Sequence, residues 1–142
     1  MKNKKIYVPQ QLELAVILGS PWVAFYFAKK NFEVFNQPER AKKTLKAGII
    51  IVLVLLISVV LVSNAVPENI ADKIPIRTIF GLVYIFSAIY IYRNQAQEID
   101  SFLQAGGERY SYWKVIGFSL LIEIILFAII VTVVSFISNI AN

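Results

Sequence analysis

The stretch VIGFSLLIEIILFAIIVTVVSFI, residues 115–137, carries one charged side chain, Glu123, in an otherwise apolar and uncharged run. A bilayer core about 30 Å thick is crossed by roughly 20 apolar residues rising about 1.5 Å each, so the run is long enough to span it. Each Ile, Leu, Val or Phe favours insertion by about 0.3–0.6 kcal/mol, and a central acidic residue opposes it by about 2.5–3.5 kcal/mol. The apolar excess prevails. The stretch reads as a transmembrane helix that inserts together with its glutamate.

The whole chain agrees with that reading. Its 142 residues are 58% hydrophobic and 16% charged, far from the composition of a water-soluble domain, with room for a single membrane domain over 1–142. Cysteine and histidine are both absent. Their absence removes disulfides, thiolate zinc sites, cysteine nucleophiles and the commonest metal ligand and general base. The formal net charge of +5 comes from basic residues flanking apolar runs, where topology and anionic lipid headgroups account for them without nucleic acid.

The N-terminal part is the ambiguous one. Lys2, Lys4 and Lys5 precede an apolar segment as in a secretory signal. Glu13, Pro21, several aromatics and the absence of a small-residue cleavage pattern argue that it is retained. Within 12–35 the sequence Gly19-Ser20-Pro21 combines a helix-stop glycine, an N-cap serine and a proline at a helix start, which predicts two short helices. A complete crossing would put Lys2, Lys4 and Lys5 on the opposite side from Lys29 and Lys30, against the positive-inside rule. A re-entrant or interfacial hairpin keeps all five together; a fourth span is the alternative. Ala15/Gly19 and Ser20/Ala24/Ala28 form small-residue rows that either admit a neighbouring helix or merely fill space.

Asn36-Gln37-Pro38 predicts the next break, with Gln37 as N-cap, followed by a basic first turn in which Glu39 is spaced to pair with Lys43. Residues 47–66 then form the clearest span. Residues 64–77 read as an external loop, 76–92 as an aromatic-rich span, and 94–114 as a cytoplasmic connection. That connection begins as a helical extension, ends at Gly106-Gly107, and has Ser111 as a cap and Tyr110, Tyr112 and Trp113 as an interfacial cluster. The expected fold is thus an all-α integral membrane protein with three transmembrane helices (47–66, 76–92, 115–137) after a broken N-terminal segment. The excess of Lys and Arg places the N-terminus in the cytoplasm and the C-terminus outside.

Glu123 lies about 12 Å below the cytoplasmic face of the core, at the depth of Tyr84 and Ser87 on the second span and Leu55 on the first. No Lys or Arg stands at that level within the spans. Tyr84, Ser87 and Ser119, one turn before Glu123, are the candidate hydrogen-bond partners. The break at Ser20 adds a helix N-terminus able to face a carboxylate. The candidate intramembrane polar site is therefore Glu123, Ser119, Tyr84, Ser87 and Ser20. No catalytic, cofactor or metal residues are predicted.

The segments GSPWVAFYFAKKNF (19–32), QPERAKKT (37–44) and AGGERYSYWKVIG (105–117) resemble a pattern recurring in small, uncharacterised bacterial membrane proteins. The resemblance covers about a quarter of the chain and implies a bacterial cytoplasmic (inner) membrane location. It implies no activity and no functional residues. From the residues themselves, the expected function is a non-catalytic membrane subunit or self-associating scaffold. Its expected partners are a bilayer with anionic headgroups and either further copies of itself or another membrane protein. The alternative is a small oligomeric proton or ion channel or transporter using Glu123.

Overall fold

The computed structural model describes residues 4–65 and 76–141, with side chains over 4–58 and 81–136. Four helices, α1 (Pro9–Val34), α2 (Pro38–Ala65), α3 (Ile76–Gln104) and α4 (Tyr112–Ala141), account for most of the described residues. Two two-residue strands, β1 (Lys5–Ile6) and β2 (Glu108–Arg109), pair in parallel, Lys5 opposite Glu108 and Ile6 opposite Arg109. The sequence-predicted loop at 64–77 falls largely outside the described residues.

The fold is organised by the reversal of α1. A straight helix of 26 residues would be about 39 Å long. Instead, Tyr7, just before the helix, donates its backbone N–H to Asn31 Oδ1 at 2.8 Å and stacks on Phe27 with ring centroids 4.1 Å apart. The chain therefore runs in over 9–18, turns at Gly19-Ser20, and returns over 21–34. Gly19 (φ −133°, ψ 20°) and Ser20 (φ 67°, ψ 164°) leave helical geometry, and Pro21 opens the return helix. The reversal gives the segment the form of a helical hairpin. Helices α1 and Tyr112–Phe136 of α4 both have the length and apolar character to cross a membrane. In α1, however, each half rises only about 15 or 21 Å, too little to cross a core of about 30 Å.

The hairpin is the core of the molecule. Ala15, Val16, Val23, Ala24, Phe25, Phe27 and Ala28 are all buried, and α2, α3 and α4 each pack against it. Both small-residue rows lie inside. Gly48 of α2 crosses over Phe25, where a Cβ added to the glycine would sit 2.6 Å from Phe25 Cβ. Gly19 crosses Ser119 of α4 as closely. Such contacts let the backbones approach closely and increase dispersion contact between the helices.

Helix ends follow the local chemistry. Asn36, at φ 57°, closes α1, and the Gln37 N–H returns to Phe32 O at 2.8 Å. Gln37 then precedes Pro38 and accepts the Ala41 N–H, as its N-cap position predicts. Gly106, at φ 83°, closes α3, with the Gly107 N–H on Phe102 O. The Trp113 N–H reaches Ser111 Oγ at 3.3 Å, a cap at the start of α4. Two local expectations differ. Glu39 pairs with Lys42 at 3.2 Å and not with Lys43. Ser20, in the N-cap position of the return helix, makes no capping bond.

At the open end of the hairpin the chain is tied by buried amides. Asn31 acts as a strand would: its Oδ1 accepts from Tyr7 N–H and its Nδ2 donates to Tyr7 O at 2.7 Å and to Gln95 Oε1 at 3.0 Å. Gln95 Nε2 donates to Ala28 O, and Gln11 Nε2 to Tyr110 O. Arg40 joins α2 to α3 through Glu98 and Asn94 O while lying 4.4 Å from the centre of the Phe32 ring. Arg40, in the basic first turn of α2, is thus a structural clamp.

The outer faces are apolar. Ile49, Ile50, Leu53, Val54 and Ile57 on α2, Leu82, Ile85, Phe86 and Ile89 on α3, and Leu121, Ile124, Phe127 and Phe136 on α4 are all exposed. Surface of this extent on three helices is not that of a water-soluble monomer.

Candidate functional site

All four helices converge beneath the hairpin tip around a small cavity of about 100 Å³. Its wall consists of Ser20 from α1, Val52, Leu55 and Leu56 from α2, Tyr84 from α3, and Glu123, Leu126 and Ile130 from α4. Three of the five sequence-selected residues, Ser20, Tyr84 and Glu123, meet here, with Leu55 at the depth that counting from the cytoplasmic end predicts.

Ser119 is fully buried one turn before Glu123, but it faces the hairpin at Gly19 and does not line the cavity. Ser87 is elsewhere. It stands one turn from Tyr84 toward the open end of the hairpin and lines a separate apolar groove of about 410 Å³ with Phe25, Ala47, Ile51, Val83, Phe86 and Tyr90. Its hydroxyl donates to Val83 O at 2.7 Å, so of the three candidate partners of Glu123 named from sequence Ser87 is not one.

The hydroxyls near the tip behave differently from those elsewhere. Ser58, Ser87, Ser101 and Thr132 each donate to the carbonyl four residues earlier, the default for a hydroxyl inside a helix. Ser20 Oγ and Ser119 Oγ are buried without any hydrogen-bond partner. An unpaired buried hydroxyl costs about 1–3 kcal/mol, and among the described residues both such atoms lie at the tip. Ser20 is strained as well, since φ 67° with ψ 164° is a region almost confined to glycine.

Ionised groups cluster at the other end. Lys5 pairs with Glu108 at 2.8 Å, and Lys29 and Lys30 both reach Glu33. The lysine hydrogen bonds hold the Glu33 and Glu108 carboxyls below the usual carboxylate range. Burial pushes the Tyr7 phenol well above the ordinary tyrosine range. Tyr110 stacks on Tyr7 at 4.4 Å and carries the Lys114 ammonium 4.1 Å from its ring centre, whereas Trp113 stands 81% exposed. Among the described residues no three metal-ligating side chains come together.

Sequence reasoning missed Gln11, Asn31 and Gln95, all fully buried. Their partners lie far away in sequence, so no local spacing signals them. Comparison with protein-family models, with curated proteins and with solved structures brings no match. The geometry defines an all-helical protein with a mostly apolar cavity, carrying Ser20, Tyr84 and Glu123 on its wall, at the point of a helical hairpin.

Proposed function

We propose that this chain is a non-catalytic, multi-pass membrane protein of the bacterial cytoplasmic membrane, a small membrane subunit or self-associating scaffold. Helices α2, α3 and α4 cross the bilayer, and α1 enters and leaves on the cytoplasmic side as a re-entrant hairpin. The observation that carries this reading is a doubled-back helix held inside three helices whose outward faces are apolar. The reversal gathers Lys4, Lys5, Lys29 and Lys30 at the end that also holds Arg40, Lys42, Lys43, Lys46, Arg93, Arg109 and Lys114. A basic rim of that kind suits anionic headgroups, and the non-helical turn is covered by protein as membrane burial requires.

Introduced cysteines test the arrangement, starting from a chain that has none. Lys4→Cys, Lys30→Cys and Lys114→Cys are expected to react with an impermeant thiol reagent from the cytoplasmic side alone. Labelling of Lys4→Cys from outside would replace the re-entrant hairpin by a fourth span. Release of the protein from membranes by alkaline carbonate would remove the membrane reading altogether.

The tip cavity favours a second reading, a small oligomeric proton or ion channel or transporter that uses Glu123. Three spans enclose little on their own, so this version requires several copies. Glu123→Gln in reconstituted vesicles tests it: flux unchanged by the substitution removes Glu123 from any transport step.

A further inference from the structure

We propose that the groove between α2 and α3 seats one acyl chain of an anionic phospholipid whose phosphate is held by Lys43 and Arg93. The proposal rests on the membrane reading and places one particular lipid within it. The groove, of about 410 Å³, falls within the range of about 300–1,000 Å³ typical of small-molecule sites. Its floor is Phe25 of the hairpin, and its walls are Ala47 and Ile51 of α2 and Val83, Phe86 and Tyr90 of α3. The Ser87 hydroxyl behind them is spent on Val83 O, so the surface offered is mostly hydrocarbon. Phe86 is 65% and Tyr90 50% exposed, and the groove opens outward along the side of the molecule. In water this would be an exposed apolar patch; in a bilayer it faces acyl chains.

One end of the groove is basic. Arg40 ties α2 to α3 there, through Asn94 O at 2.6 Å and through Glu98. Lys43 follows Arg40 by three residues and precedes Ala47 by four; Arg93 adjoins Asn94 and follows Tyr90 by three. Each therefore stands within about one helical turn of both the clamp and the groove. Both are exposed. Among the described residues the ion pairs engage Lys5, Lys29, Lys30, Arg40 and Lys42, which leaves these two cations for an external anion. Basic sites between helices at the cytoplasmic face are where anionic headgroups bind. A phospholipid has the required distribution, an anion at one end and hydrocarbon beyond it. The outer helix of a second copy does not: residues 115–137 hold a single acid, Glu123, about 12 Å from the cytoplasmic end of that run.

The test uses the full chain in vesicles of phosphatidylcholine and phosphatidylglycerol, one or the other brominated on its acyl chains. Bromine quenches tryptophan fluorescence on contact. Trp22→Phe and Trp113→Phe clear the background, Phe86→Trp reports from the groove wall, and Phe127→Trp, at a site 67% exposed on α4, reports ordinary lipid contact. Phosphatidylglycerol is expected to be favoured about tenfold or more in the Phe86→Trp protein, and about twofold or less in the Phe127→Trp protein. Lys43→Gln and Arg93→Gln should each lower that preference about fivefold, and Lys42→Gln, with the same net charge, should leave it unchanged. Equal quenching by the two lipids, or an equal loss in Lys42→Gln, overturns the site in favour of diffuse attraction. A Phe86→Trp protein quenched by neither lipid, beside a quenched Phe127→Trp protein, overturns it in favour of a second copy in the groove. Quenching of neither protein by either lipid overturns the membrane reading itself. The unaltered chain gives an independent readout. Native mass spectrometry of protein extracted from the mixed vesicles should show a retained phosphatidylglycerol that is absent when Lys43→Gln and Arg93→Gln are combined; its presence in both proteins, or its absence from both, overturns the proposal.

Discussion

Gly19 and Ser119 meet backbone to backbone: a methyl group built on Gly19 would lie 2.7 Å from Ser119 Cβ and 2.8 Å from its Cα. Neither atom belongs to the end of a flexible side chain that can swing away. Gly19→Ala therefore forces α1 and α4 apart at the tip, and the expected loss is about 1–3 kcal/mol. Unfolding in mixed micelles checks this. A Gly19→Ala protein as stable as the native one would show that the crossing is looser than described.

Ser20 makes the opposite prediction. Its φ of 67° suits glycine, and its hydroxyl contributes no bond within the chain. Ser20→Gly is expected to be about 1 kcal/mol more stable than Ser20→Ala, which keeps the strain. The comparison is made by the same unfolding measurement, with equal stability of the two variants as the contrary result.

Asn31 holds three partners at once, both backbone groups of Tyr7 and the Gln95 amide. Asn31→Leu leaves these buried and unpaired, at an expected cost of about 3 kcal/mol or more. Hydrogen exchange at the Tyr7 amide should accelerate in the variant before global unfolding. Exchange at the native rate would mean that the strand pairing at Ile6 holds the N-terminus without Asn31.

The Arg40–Glu98 pair predicts a pH dependence. Burial alone would raise the Glu98 carboxyl, but hydrogen bonding and charge from Arg40 outweigh it and leave the carboxyl below its ordinary value of 4.5. A depressed folded-state value stabilises the fold above the unfolded value, and this contribution disappears as pH falls through the folded one. The pair is partly exposed, so its expected size is about 1 kcal/mol or less. A double-mutant cycle with Arg40→Gln and Glu98→Gln should give that coupling near neutral pH and none in strong acid.

The parts of this structure written locally were legible in the sequence. Gly19-Ser20-Pro21 announces a break, and the chain breaks and turns back at that point. Counting 1.5 Å per residue brings Leu55, Tyr84 and Glu123 to one depth. Depth does not give azimuth, which is why Ser87 lines the groove beside Phe25 and not the cavity. The amides were beyond reach for another reason. Gln11 and Tyr110 are 99 positions apart, and Asn31 and Gln95 are 64 apart. No periodicity joins such residues, and two-residue strands are too short to leave an alternating pattern.

The clasp between Ile6 and Tyr110 also orders events during synthesis. The hairpin is translated well before its partners at Tyr110, Val115 and Ser119, which lie about 80 to 100 positions later. Until then its α4-facing side, Gly19 included, has nothing of its own to lie against. The helix over 112–141 closes the hairpin's remaining side, so a chain cut short before residue 110 carries a finished hairpin with no seat.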